Sequence, residues 1–204
     1  MSNITVAPAR AEELRPAAAI LAEAFEHDPV LGVIVPQRDR RRERLTDLFE
    51  GTLSAGPYAT GTVDLARDGD GELLGVAAWE GPEARRGALG RLAQRLPLFV
   101  RSIGWMRLAR AFGLLNRMEQ YRPKAPHWYL AEIGVSARAR GKGVGATLLA
   151  THLRALDAMR QNAYLESSTP DNRRLYRRLG FEELAPITGL PGAQPVAMLR
   201  RPAG

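Results

Sequence analysis

The sequence predicts an α/β (α+β) domain: a mixed central sheet of about six to seven strands flanked by helices. Three observations point there. Seven short segments have strand character, and amphipathic helical stretches lie between them. Two early strands are joined by Asp68-Gly69-Asp70-Gly71, a strong hairpin signal. Late in the chain, an extended segment runs through a glycine-rich turn into a helix and then a further strand.

In chain order, Ile4-Thr5-Val6 reads as a short strand. Glu12 to Glu26 reads as a helix, because Leu14, Ala18, Leu21 and Phe25 fall on one face, and Pro16 is tolerable in a first turn. Asp28-Pro29 breaks it. Arg38 to Ser54 is a second helical segment with Leu45, Leu48, Phe49 and Leu53 inward. Thr60 to Arg67 and Glu72 to Trp79 are the hairpin strands, closed by Gly81-Pro82. Arg85 to Arg122 is a long arginine-rich helical region, which Pro97 divides and Gly104 and Gly113 weaken. His127 to Val135 is extended, and a helix runs from Val144 to about Arg160. Ala163–Ser167 is a strand, and a short helix capped by Asp171 or Asn172 ends at Gly180. Phe181–Leu184 and Val196–Arg200 complete the strands.

At 204 residues the chain is read as a single domain, residues 1–204. It has no cysteine, which removes disulfides, thiolate metal sites and a cysteine nucleophile. No Gly-x-Ser-x-Gly elbow supports an acyl-serine route. The first thirty residues carry no basic head followed by an apolar core, so the expected location is cytoplasmic, with no membrane partner. Of 29 basic residues, 27 are arginine, and the net charge is +7. No basic stretch is interleaved with aromatics as a stacking platform would be, so no nucleic-acid partner is expected. His27, His127 and His152 show no metal-ligand spacing, and no metal is expected. Trp79, Trp105 and Trp128 read as packing residues.

The most informative segment is Arg140-Gly141-Lys142-Gly143-Val144-Gly145. A turn of this kind presents backbone N–H groups to an anion at the positive end of a helix, here with two cations beside it. It does not fit a P-loop, because Lys142 is followed by Gly143. Its glycine spacing also departs from the dinucleotide fingerprint, and only some 60 residues follow it.

The stretch "HWYLAEIGVSARARGKGVGATLL" resembles the GCN5-related N-acetyltransferase (GNAT) superfamily, whose acetyl-CoA loop reads Gln/Arg-x-x-Gly-x-Gly/Ala; Arg140, Gly143 and Gly145 match. "YLESSTPDNRRLYRRLGFEEL" resembles the family's next strand, helix and strand, with Asn172, Tyr176, Gly180 and Phe181 in register. The likeness covers about Trp128 to Leu184, and its "HWYL…IGV" and "YLESS" segments look most like the puromycin-acetyltransferase-like branch. It implies a GNAT fold with a helical insertion, residues 85–122, before the central acetyl-CoA-binding strand. It implies an N-acetyltransferase moving an acetyl group from acetyl-CoA to a small-molecule amine by direct attack in a ternary complex.

By that resemblance, Arg140, Gly141, Lys142, Gly143, Val144, Gly145 and Ala146 hold the pyrophosphate, and backbone N–H groups at Ile133, Gly134 and Val135 polarise the thioester. Asn172 contacts the pantetheine arm or caps its helix, and Tyr176 protonates the departing thiolate. Glu132 and Glu166 are the candidate bases; strict alternation puts Glu132 on the face opposite Tyr129, an assignment that a bulge would invert. A homodimer is compatible with the family. A catalytically silent CoA-binding sensor or regulatory module is the alternative reading.

The insertion carries nine arginines, with Glu119 as its internal acid. Leu89, Leu92, Leu96, Phe99, Ile103, Met106 and Leu114 recur at helical spacings, which predicts one buried face. Its expected role is to cover the acceptor site, with a cofactor lid or a dimer contact as alternatives.

Overall fold

All seven strand-like segments enter one sheet: β1 (Thr5–Pro8), β2 (Gly61–Arg67), β3 (Leu73–Glu80), β4 (Trp128–Val135), β5 (Ala163–Ser167), β6 (Glu182–Pro186) and β7 (Val196–Arg200). The computed structural model describes residues 4–203. The strand order is β1-β2-β3-β4-β5-β7-β6. Every neighbouring pair is antiparallel except β4 and β5. That parallel pair requires a crossover, which α8 (Val144–Ala158) supplies.

The sheet is covered on both faces. On one lie α1 (Leu14–Ala24), α2 (Pro29–Ile34), α3 (Arg41–Ala55), α6 (Leu96–Ile103) and α7 (Leu108–Glu119), which share a core with Val63, Leu65, Val76 and Ala78. On the other lie α8 and α9 (Pro170–Arg178), packed on Ala77, Trp79, Leu130 and Leu165. The single turn α4 (Pro57–Thr60), the short α5 (Ala88–Gln94) and three 3-10 turns at Ala11–Glu13, Trp105–Arg107 and Ala137–Ala139 complete the helices of the described residues.

α2 is absent from the sequence reading. The first helix ends at Ala24, short of the expected Glu26 and before Asp28, whose carboxylate instead accepts from the N–H groups of Val30 and Leu31 at 2.8 and 3.0 Å. Asp28 therefore caps a new helix with Pro29 at its first position. α9 is capped by Thr169, not by Asp171 or Asn172; Thr169 Oγ1 accepts from the Asn172 N–H at 3.3 Å.

The single buried face expected of the insertion does not form. Phe99, Ile103 and Leu114 are buried, whereas Leu89 and Met106 are 84% and 95% exposed. Leu96-Pro97 starts a fresh helix, and Gly104 at φ +85° ends it. Each break resets the helical phase, so a periodicity counted across them describes no one face. Gly113, by contrast, is carried inside α7 without a break. Trp79 is fully buried, and His152 stacks on it at 4.5 Å, but Trp105 is 69% exposed and is no packing residue.

α1 approaches β4 closely at Gly134. A Cβ there would stand 2.9 Å from Ala24 Cβ and 3.0 Å from Leu21 Cδ2. Gly134→Ala is expected to cost about 1–3 kcal/mol by overpacking this contact. Urea denaturation of the two proteins measures it; an unchanged midpoint would contradict the close approach.

Candidate active site

The central feature is a gap in the sheet. β4 pairs with β5 only at Trp128↔Ala163 and Tyr129↔Tyr164, and beyond Tyr129 the two strands separate. β4 continues on β3 to Val135, so its other edge, from Leu130 onward, faces the gap. Ile133, Gly134 and Val135 lie on this stretch.

A cavity occupies the gap, lined by Tyr129–Ile133 of β4, Leu165 and Glu166 of β5, Asn172 and Tyr176 of α9, and Phe25, Asp28 and Leu31 near α2. The structure thus brings together Glu132, Ile133, Glu166, Asn172 and Tyr176. Gly134 and Val135 sit at the same end of β4, and the glycine turn follows them.

The turn has the geometry of an anion cradle. Gly141 and Gly143 adopt φ of +75° and +81°, a region costly for other residues. A Cβ at either would meet open space, and Arg140, Gly141, Lys142 and Gly143 are all exposed. Gly143 is the N-cap of α8, so the N–H groups of Val144, Gly145 and Ala146 form its first turn and have no intrahelical acceptor. Fifteen residues of helix aim their dipole at this point. The neighbouring Arg138 is committed to Glu72. Arg140 and Lys142 thus flank an open cradle suited to an anionic group.

Glu132 owes its position to a bulge. Ala78 pairs with Glu132 and Trp79 pairs with Leu130, which leaves Ala131 without a partner on β3. The extra residue inverts the alternation and places Glu132 on the same side as Tyr129, correcting the strict-alternation reading. There Glu132 Oε2 is fully buried with no hydrogen-bond partner among the described residues. Burial, followed by the charge of Glu80, pushes its pKa up to about 8.

Glu166 is held differently. Its Oε2 accepts from the Tyr129 hydroxyl at 2.7 Å, and its Oε1 lies 3.6 Å from Arg122 Nε. Burial raises its pKa, and the Arg122 guanidinium opposes the rise. Arg122 lies over the Tyr129 ring at 3.5 Å and also pairs with Glu119 at 2.9 Å.

Tyr176 is buried against Phe181, edge to face at 5.9 Å, and it lines the gap cavity as well. Burial and the charge of Asp28 raise its pKa, so the phenol stays protonated at neutral pH. Asn172 is exposed and borders the same cavity.

A second cavity of about 320 Å³ adjoins the first and shares Tyr129, Ala131 and Glu132 with it. Its walls come from α3, α5 and α7, including Thr52, Leu92, Leu115 and Glu119. Two acids that the sequence reading did not single out for the site belong here: Glu80, the last residue of β3, and Glu119.

The chain is similar to known proteins over most of its length. A family model described as the acetyltransferase (GNAT) domain matches residues 99–183. The chain is similar to a Corynebacterium glutamicum crystal structure described as histone acetyltransferase HPA2 and related acetyltransferase. The two are 32% identical over 100% of this chain and 98% of that one, with a TM-score of 0.76. An uncharacterized N-acetyltransferase of Schizosaccharomyces pombe is 28% identical over 84% of this chain and 71% of its own length. An N-acetyltransferase from Staphylococcus aureus shares the fold, with a TM-score of 0.64 at 13% identity over 96% of this chain and 99% of that one.

Proposed function

Because the chain belongs to the GNAT acetyltransferase family, we propose that it moves an acetyl group from acetyl-CoA to an amine of a small molecule by direct attack in a ternary complex. The observation that carries this reading is the open gap between β4 and β5, with the glycine turn at one end and the buried Glu132 and Tyr176 facing it. The HWYL and YLESS segments support a position near the puromycin-acetyltransferase-like branch.

Acetyl-CoA supplies the thioester. Arg140, Lys142 and the first-turn N–H groups of Val144, Gly145 and Ala146 bind its phosphates, with Gly141 and Gly143 letting the backbone come close. The unpaired edge of β4 offers the backbone N–H groups of Ile133 and Val135 to the carbonyl, whereas that of Gly134, two residues before the Ser136 N–H that bonds Leu74 on β3, is turned toward β3. Asn172 steadies the arm. Glu132 removes a proton from the acceptor amine, and Tyr176 donates one to sulfur. Glu166 is a positioning residue: its Oε2 is held by Tyr129, while its Oε1 lies 3.6 Å from Arg122 Nε and has no hydrogen-bond partner among the described residues. The insertion, residues 85–122, walls the acceptor cavity.

Replacing Arg140 and Lys142 together by Ala is expected to raise the CoA dissociation constant about tenfold or more, with the fold intact by circular dichroism. Calorimetric titration with CoA reads this directly; unchanged affinity would remove the turn from the binding site.

A further inference from the structure

The second cavity has a feature that the transfer chemistry alone does not require. Its floor carries two carboxyl groups: Glu132 Oε2 has no hydrogen-bond partner among the described residues, and Glu80 is approached by Arg122 only at 3.9 Å, beyond hydrogen-bond distance. Glu132 faces Ala78 across the ladder and Glu80 lies two residues further along β3, so the two are diagonal neighbours on one face. Such neighbours are separated by about 7 Å.

The cations around them are already committed. Arg91 donates to the carbonyls of Ala55, Arg86 and Ala84. Arg85 pairs with Glu119. Arg122 is 2.9 Å from Glu119 and stacked on Tyr129, and it reaches Glu80 only at 3.9 Å. An acceptor carrying a carboxylate or phosphate finds no free guanidinium here, and it meets three acids, Glu80, Glu119 and Glu132. An acceptor with a single amine satisfies Glu132 and leaves Glu80 as a largely buried carboxyl without a donor, which is costly.

Resting on the acetyl-transfer reading, we propose that Glu80 is a specificity residue and that the acceptor is a compact dication: one nitrogen at Glu132 is acetylated, and a second, roughly three to five carbons away, binds Glu80. The cavity volume, about 320 Å³, admits a ligand of this size. Its apolar walls, Ala55, Ala88, Leu92 and Leu115, suit the methylene chain between the two nitrogens. Discrimination comes from the charge pair and from the mismatch that any other terminal group creates at Glu80.

Three acceptors of equal chain length test this: 1,4-diaminobutane, butylamine and 4-aminobutanoate, each assayed for kcat/KM with wild type and Glu80→Gln. Wild type is expected to favour the diamine over butylamine by about tenfold or more, with 4-aminobutanoate poorest. In Glu80→Gln that preference is expected to shrink to about threefold or less, mainly through KM. A parallel calorimetric titration of each compound into the CoA complex reads binding without turnover. Acetylation of all three with no diamine preference, or a preference that survives Glu80→Gln, overturns the dication proposal and leaves acetyl transfer standing. Glu80-dependent diamine binding without release of CoA thiol supports the acceptor site and overturns the transfer reading instead.

Discussion

Glu132→Gln is expected to lower kcat/KM by about 10²-fold or more and to flatten the alkaline rise of its pH profile. Only the ionised carboxylate accepts a proton, and burial beside Glu80 holds Glu132 protonated until about pH 8. Wild-type activity should therefore climb with pH and level off above about 8, while the variant keeps only the ionisation of the acceptor amine itself. Glu80, Glu166 and Arg122 are the charged groups that set this value, and Thr52 is the uncharged donor beside it.

The same residue makes an opposite prediction for stability. Its folded-state pKa lies above its unfolded value, so the group contributes fully at pH below the unfolded value. That contribution is lost as pH rises through about 8. One pKa unit corresponds to about 1.4 kcal/mol, so above pH 8 Glu132→Gln should be the more stable protein by at least about that much. Thermal unfolding at pH 6 and pH 9 checks this. An activity loss together with a stability gain at pH 9 marks a carboxyl retained for chemistry, whereas equal loss of both would mark it as structural.

Tyr176→Phe is expected to lower kcat by about 10²-fold or more while leaving CoA affinity within about twofold. Phenylalanine preserves the edge-to-face contact with Phe181 and the burial in the α8–α9 core, so the fold should be unaffected. Because burial and Asp28 keep the phenol protonated, wild type should show no pH limb from this group at neutral pH. A leaving group that needs no proton, such as a thiolate of low pKa in an activated acyl donor, should restore much of the lost rate. A purely packing role for Tyr176 predicts no such rescue.

Much of this architecture was legible in the residues because local rules carry it. The glycine turn could be read because positive φ and an open helix start need glycine at Gly141 and Gly143. The hairpin of β2 and β3 could be read from Asp68-Gly69-Asp70-Gly71, whose Asp68 carboxylate indeed accepts from the Asp70 and Glu72 N–H groups. What escaped depends on distant contacts. Six residues of α2 are too few to display a period, and its cap looked only like a helix breaker. The bulge leaves Ala131 without a partner on β3, and no residue type announces it. Without the bulge, Glu132 would point toward α8. Glu80 lies one residue beyond the strand that the sequence predicts, which ends at Trp79. The spacing predicts Leu89 and Met106 inward, but breaks at Leu96-Pro97 and Gly104 shift the helical phase and leave both exposed.

The central claim is that the β4–β5 gap performs acetyl transfer. The most direct measurement is CoA thiol release from acetyl-CoA over a panel of amines, with the acetylated amine identified by mass spectrometry, for wild type and Tyr176→Phe. The expected result is stoichiometric thiol and N-acetylated product from wild type, and release slowed by about 10²-fold in the variant. Tight CoA binding with no release for any amine, or a catalytically competent acetylated side chain trapped on the protein, would contradict it.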